Sequence, residues 1–358
     1  ETIIGTIWQS ITFLFALFTK AFAWIAYKIF AAFNQSKATV LMDRINSSVF
    51  LIGSIVILLS IWLFDVYVVK IGSFPEVLQF SIRDPVDGAV AWLVVNPTFI
   101  AFTKGLRTVV YLYLLHPLDI YLTHLPWYFV FSAFGLIGWV SLGLRFALTT
   151  VALLFFIGAC GLWISAMLTL SSVMVSILLC IIVGLPIGIA CANFPRLNMV
   201  LKPVLDSMQT MPSFVYLIPV LMFFGGNIVS AVIATVIYAL PPVIRMTTLG
   251  ITQIPESYTE VSQMFGSTRL QRLVKVQLPM ALPSIMMGVN QGVMMGLAMQ
   301  VITPMIGGGG LGRDVFYSLS LSNTGDGLAA GTGIVLLAII LDRLSQAWTK
   351  KQREALGV

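Results

Sequence analysis

Charge is what this sequence has least of. Of 358 residues, 20 are Lys or Arg and 14 are Asp or Glu, 9% together, where a soluble domain carries about 25%. So few charged groups cannot cover the surface of a soluble protein of this length. An ordinary water-soluble globule is excluded. A disordered chain, which needs low hydrophobicity and high charge, is excluded as well. Histidine is scarce: the chain has 2, His116 and His124, without an accompanying carboxylate pattern. They make a poor metal site and read as structural residues near an interface. The 3 cysteines, Cys160, Cys180 and Cys191, lie in apolar runs at spacings unlike a metal site, so they read as small buried hydrophobes. No glycine is followed by lysine anywhere, so the G-x-x-x-x-G-K-[ST] phosphate loop is missing and no Walker-type ATPase resides in this chain. H-E-x-x-H and G-x-S-x-G are missing too, along with the metalloprotease and hydrolase mechanisms they signal.

What is present is apolar. Hydrophobic residues make up 58% and the mean hydropathy is +0.98. Apolar runs fall at about 3–33, 48–69, 127–144, 147–167, 171–193, 211–225, 228–244, 281–305 and 328–348. Most approach the roughly 20 residues that a helix needs to cross a bilayer. The expectation is an all-α membrane protein of 8 or 9 spans. Segment 211–225 is short and contains Pro212 and Pro219, which predicts a bent or partial helix inside the bundle. Residues 11–32 contain Ala21, Phe22 and Ala23, a pattern that also ends signal peptides. With no basic region ahead and Lys20 and Lys28 within, the stretch reads as a spanning or interfacial helix.

Net charge is +6 and the pI about 9.3. The basic residues sort by loop rather than forming a nucleic-acid patch, so no nucleic-acid partner is expected. With the N terminus outside and the C terminus in the cytoplasm, Arg145, Arg196, Lys202, Arg245, Arg269, Arg272, Lys275, Arg343 and Lys350 all fall inside. The inverted topology would place them outside, against the positive-inside rule. The expected organisation is an N-terminal extension over 1–70 with one or two membrane helices and an amphipathic segment over 71–125. The latter lies on the outer face or packs on the bundle. The first helices of the bundle follow over 126–166, a transmembrane core over 167–346, and a cytoplasmic tail over 347–358.

The sharpest local signal is the cytoplasmic insertion at 246–280. Pro255 and Glu256 suit the start of a helix. Ile254, Tyr258, Val261 and Phe265 recur at helical spacing on one face. Gly266 stands where a left-handed residue ends a helix. Thr268 and Gln271 fit a capping box for a second helix, on which Arg269, Arg272 and Lys275 share a side. Pro279 precedes the next span. A helix, a glycine joint and a second helix with this much apolar surface read either as an element docking in a partner's groove or as a pair lying on the bilayer.

Glu260-Val261-Ser262, then Gly266, then Val276-x-Leu278-Pro279 resembles the coupling-loop signature of binding-protein-dependent ABC importer permeases. Further stretches resemble the glycine betaine/proline permeases of that family, over roughly residues 85–358. They include LLCIIVGLPIGIA (178–190), LKPVLDSMQTMPSFVYLIPV (201–220), YALPPVIRMTTLGI (238–251) and VLLAIILDRLSQA (335–347). The resemblance implies the all-α, type I ABC importer fold. It implies a permease homodimer in the bacterial inner membrane, two copies of a cytoplasmic ATP-binding cassette subunit, and an extracytoplasmic substrate-binding protein. ATP is then bound by the partner, and this chain needs no cofactor and is not itself an enzyme. The substrate class implied is glycine betaine, proline, or a related quaternary or methylated amine. In the loop at 251–279, Gly266 is then the bend, and Leu278 and Pro279 join it to the following span.

Candidate pathway residues come from polar groups inside that span, which are costly unless they meet a cavity or another helix. They are Asn290, Gln291 and Gln300, with Met294 and Met295 as polarisable neighbours and Tyr216 from the broken segment. By spacing, Asn290 shares a face with Met294, and Gln291 with Met295. The run from Gly307 to Gly312 satisfies G-x-G-x-x-G but follows no strand, so a dinucleotide site is rejected. It reads as a flexible loop near the outer pore mouth. The competing function is an ion-coupled secondary transporter of a small zwitterion, which calls for intramembrane carboxylates. Asp65, Asp206 and Asp342 are the acidic residues placed within spans.

Overall fold

The computed structural model describes residues 52–53, 55–69, 80–81 and 83–356. The expected first span, 3–33, lies outside them. The chain divides at Asp87/Gly88 into two compact units, rather than at 70/71. In the first, α1 (Ile55–Tyr67) is a short apolar helix, ending in a π-helical turn at Asp65–Val69.

The helix α2 (Arg83–Val95) leads into the second unit. There α3 (Pro97–Val109), a π-helical turn (Val110–Leu115) and α4 (His116–His124) follow end to end. The start is fixed by Asn96, whose side chain accepts from the backbone N–H groups of Thr98 and Phe99, with Pro97 in the first turn. The rod is 28 residues long and apolar enough to cross a membrane. Over 97–124 the stretch packs on the bundle as helix. Val110 and Leu115 are buried with Val175, Val229 and Val232 of later helices.

Next come α5 (Trp127–Leu142) and α6 (Leu144–Ala159), which form a hairpin turning at Gly143. The long helix α7 (Trp163–Asn193) corrects a boundary. The break expected between 167 and 171 does not exist, and the domain limit at 166/167 falls inside this helix. Thr169 and Ser176 look like interruptions in sequence. Their hydroxyls instead donate to the carbonyls of Ser165 and Ser172 one turn back, both at 2.8 Å, and the helix continues. The actual break is at Gly161, which has φ 74°. Cys160 at this break is exposed, unlike the buried Cys180 and Cys191, which corrects its reading as a buried hydrophobe.

The pair α8 (Pro195–Thr210) and α9 (Ser213–Phe224) is bent by 104° at Met211–Pro212. This is the partial helix expected from Pro212 and Pro219. One side of α9 packs through Tyr216, Leu217 and Val220, while Phe214, Ile218 and Met222 remain exposed. Then follow α10 (Ile228–Thr252), α11 (Glu256–Met264), α12 (Arg269–Arg272), α13 (Leu278–Gln300), α14 (Gly310–Ser320) and α15 (Thr324–Leu356). Among the described residues, four helices are long and apolar enough to span alone, or five if the bent pair counts as one.

The centre of the bundle is α10, held between α7 and α13. Small residues permit this closeness, as they do between membrane helices generally. A Cβ added at Gly188 of α7 would stand 2.6 Å from Thr247 Cβ, and one at Gly288 of α13 would stand 2.7 Å from Met246 Cβ. The Thr248 hydroxyl donates to the Ile244 carbonyl at 2.9 Å and reaches the Gly188 carbonyl at 3.1 Å. The α10 and α13 helices pack closely, and the segment joining them is the loop that sequence singled out.

Candidate functional site

The loop leaves the bundle at Thr252. Ile254 is half-buried and packs on the core that holds Ile251, Ala281 and Ile285. Pro255 caps α11 rather than entering its first turn. The helix ends in a Schellman motif. The Gly266 N–H donates to the Gln263 carbonyl at 2.8 Å, and the Ser267 N–H to the Ser262 carbonyl at 3.1 Å. Gly266 has φ 73° with no atom within 4 Å of an added Cβ. The glycine is required for its conformation and not for space. Thr268 then opens α12 with the full capping box: its hydroxyl accepts from the Gln271 N–H at 3.3 Å, and Gln271 Oε1 accepts from its N–H at 2.9 Å. A π-helical turn at Leu273–Gln277 leads into α13.

Each signature residue has a definite place. Glu260 and Val261 are exposed on α11, and Ser262 supplies a carbonyl to the Schellman motif. Val276 is half-buried in the π turn. Leu278 packs on the same core as Ile254, and Pro279 stands in the first turn of α13. The loop is thus anchored at both ends and raised in the middle. Met264 is 84% and Phe265 88% exposed. With Tyr258, Val261 and Leu270, also exposed, they form an apolar tip on a rigid stem. Arg269 and Lys275 beside it are exposed as well.

The pathway candidates divide. Gln291 and Met294 face the open side of α13, with Ala298 one turn on. Gln291 stands mid-helix in α13, which is not one of the four described helices long and apolar enough to span alone. The other four are engaged within the bundle. Asn290 Nδ2 donates to Asp342 Oδ1 of α15 at 3.0 Å, and its Oδ1 accepts from the Ser345 hydroxyl. Met295 packs on the central core. Gln300 is 1% exposed. The Tyr216 hydroxyl donates to the Met208 carbonyl, and its ring meets Tyr238 edge-on at 5.9 Å. The open stripe follows spacings of three and four, 291–294–298, and not the pairs 290–294 and 291–295.

At the far end of α13, about 33 Å from Leu278 at 1.5 Å per residue, the glycine run is not the flexible loop expected. Its backbone is wedged between helices. Gly307 stands against the backbone of Asn227, 2.7 Å from an added Cβ, and Gly308 stands as close to Thr303 Oγ1. A Cβ on Gly312 would overlap the Gln300 carbonyl. The Leu311 N–H donates to Thr169 Oγ1 at 2.8 Å, and Leu311 is fully buried.

Sequence reasoning missed two polar links: Asn290 with Asp342, and Asp206 of α8 paired with Arg245 of α10. Isolated opposite charges inside apolar segments were the available signal, because such groups seek partners. The histidines are structural. His116 stacks on Tyr111 at 5.3 Å, and His124 Nδ1 lies 2.9 Å from the Ile120 carbonyl. No cluster of metal-ligating residues occurs among the described residues.

Apolar helices of spanning length and a rigid, exposed loop define an all-α membrane protein. Residues 184–353 match the family described as binding-protein-dependent transport system inner membrane component. The glycine betaine/proline betaine transport system permease protein ProW of Escherichia coli is 42% identical over 292 residues, covering 78% of this chain and 81% of that protein. The glycine betaine transport system permease protein OpuAB of Bacillus subtilis is 39% identical, covering 75% and 94%. A chain of the MetNI methionine ABC transporter in an inward-facing conformation superposes with a TM-score of 0.47 and 20% identity, over 51% of this chain and 92% of that one. The chain belongs to the binding-protein-dependent inner membrane permease family of ABC importers. It is an all-α inner-membrane permease subunit that works with an ATPase and a substrate-binding protein.

Proposed function

We propose that this chain forms the translocation pathway for glycine betaine, proline betaine or a related quaternary or methylated amine. Two copies assemble with two copies of a separate ATP-binding subunit, and an extracytoplasmic binding protein delivers the substrate. The N terminus is outside and the C terminus in the cytoplasm, as the basic loops favour. ATP is bound by the partner, and the chain itself holds no cofactor. The observation that carries the coupling role is the apolar tip Tyr258–Phe265, held by the Schellman motif at Gly266 and rooted in the core through Ile254 and Leu278. The names of the relatives support the substrate class. Gln291 and Met294 are the side chains proposed to face the pathway. Their side suits a substrate whose cationic head has no N–H donors and favours a polarisable wall.

The test is uptake of labelled glycine betaine by cells lacking their own osmolyte importers. The chain is expressed with its ATPase and binding protein, and trimethylamine N-oxide and proline serve as competitors. Accumulation that needs a functional ATPase is expected, with competition naming the substrate. Uptake indifferent to the ATPase would overturn the reading in favour of an ion-coupled transporter.

A further inference from the structure

We infer that two polar clamps, Arg245 with Asp206 and Asn290 with Asp342 and Ser345, convey movement of the coupling loop to the outlying helices. The four charged and amide groups are positioning residues for transport. The inference rests on the proposed role of the loop at 251–279. The loop is bracketed by the end of α10 and the start of α13, which pack closely. Each of these helices carries one clamp. Arg245 lies about 10 Å along α10 from the loop, and Asn290 about 18 Å along α13, at 1.5 Å per residue.

Arg245 pairs with Asp206, which stands on α8, the arm of the bent pair that leads into α9. Asn290 joins α15: its Nδ2 donates to Asp342 Oδ1 at 3.0 Å, and its Oδ1 accepts from Ser345. The carboxylate is held in turn by Gln346 Nε2, 2.8 Å from each oxygen, and the Ser345 hydroxyl also reaches the Asp342 carbonyl at 2.9 Å. Both clamps join separate helices side chain to side chain. Elsewhere the helices meet through apolar surfaces, glycine faces and hydrogen bonds to backbone such as that of Thr248 to the Gly188 carbonyl. The hydrogen bonds of Asn290 fix register where van der Waals contact does not, and Arg245 and Asp206 hold each other as an ion pair. Side-chain exposure of 36% for Arg245 and 50% for Asp206 means that the ion pair adds little to stability. Its effect is therefore read in coupling.

The experiment uses the complete transporter, reconstituted with its ATPase and binding protein, and measures substrate moved per ATP hydrolysed. Asp206→Ala and Asp342→Ala are expected to keep hydrolysis but to lower that ratio roughly fivefold or more, the usual scale of coupling between sites. Exchanging the pair, Asp206→Arg with Arg245→Asp, restores it. Asp342→Asn stays near the wild-type ratio, because the partners of Asp342 are neutral and an amide oxygen still accepts from Asn290. An unchanged ratio in assembled alanine variants overturns the inference. Should those variants fail to assemble, Arg245→Gln decides. It keeps much of the side chain and loses the charge that pairs with Asp206, so an unchanged ratio there overturns the inference equally. Wild-type uptake without ATP hydrolysis would instead overturn the proposed function and is seen in the same assay.

Discussion

Gly266 and Gly312 lie on either side of α13 along the chain, in α11's C-terminal turn and in α14, and they serve opposite needs. Gly266 has open space on every side and a positive φ. Gly312 lies inside α14, and the Gln300 carbonyl occupies the place of a side chain. The first glycine selects a conformation, and the second yields a volume. The loop end is a shaped, exposed projection. The far end is a closely packed wedge. A residue type alone does not reveal which role it plays. Both were read from sequence as loop glycines, and only the first was read correctly.

Substitution at the wedge is expected to have the largest effect. In Gly312→Ala the added methyl meets a backbone oxygen, which no rotamer change relieves. The cost is about 3 kcal/mol or more, the upper range for overpacking. Purified protein yield and the thermal midpoint should both fall sharply. A wild-type midpoint would mean that α14 shifts freely, and the contrast with Gly266 would collapse.

Gly266→Val sharpens the comparison from the other side. The left-handed conformation costs a side-chain-bearing residue about 1–2 kcal/mol, more for a branched one, but no atom is in the way. The chain should fold and assemble with a thermal midpoint within about 4 °C of wild type. ATP-driven uptake at equal expression should be lost, because the apolar tip is no longer presented in place. Normal uptake would show that the bend is dispensable.

Thr169→Val probes the wedge more gently. It removes the acceptor for the Leu311 N–H while keeping the shape. A buried unpaired N–H costs about 1–3 kcal/mol, measurable as a lower thermal midpoint. At the coupling end, Thr268→Ala removes one half of the capping box and should cost about 1 kcal/mol. Hydrogen exchange should rise over Arg269–Arg272 with little change in the bundle. Equal effects of the two substitutions on global melting would deny the difference between the two ends.

Much of this was legible because the signals were local. The capping box at Thr268 and Gln271, the left-handed Gly266 and the break at Pro212 each depend on residues within a turn of one another. What could not be read depended on partners far along the chain. Thr169 and Ser176 look like polar interruptions, yet they lie inside α7, and the Thr169 hydroxyl also serves Leu311, 142 residues away. Asn290 reads as a pathway candidate because it is polar inside an apolar run. Its partner is Asp342 on another helix, a pairing that periodicity within one segment cannot show. The same limit explains the misplaced stripe on α13. Spacing assigns residues to faces of a helix, but only packing says which face stays open.

That open face holds the smallest and most discriminating expectation. Gln291 is exposed while its neighbours Gly292 and Val289 are buried. If lipid covered this side, Gln291→Leu would remove a polar group from hydrocarbon, leave uptake unchanged and raise the thermal midpoint. If the side borders a watered path or a second copy of the chain, Leu removes a hydrogen-bonding group from that path. Uptake should then fall about two- to tenfold, the worth of one such group, with the midpoint unmoved. Met294→Leu, which keeps the volume and loses the sulfur, should fall less. The order Gln291 before Met294 follows from chemistry on one stripe: an amide can exchange hydrogen bonds with passing water, and a thioether can only be displaced.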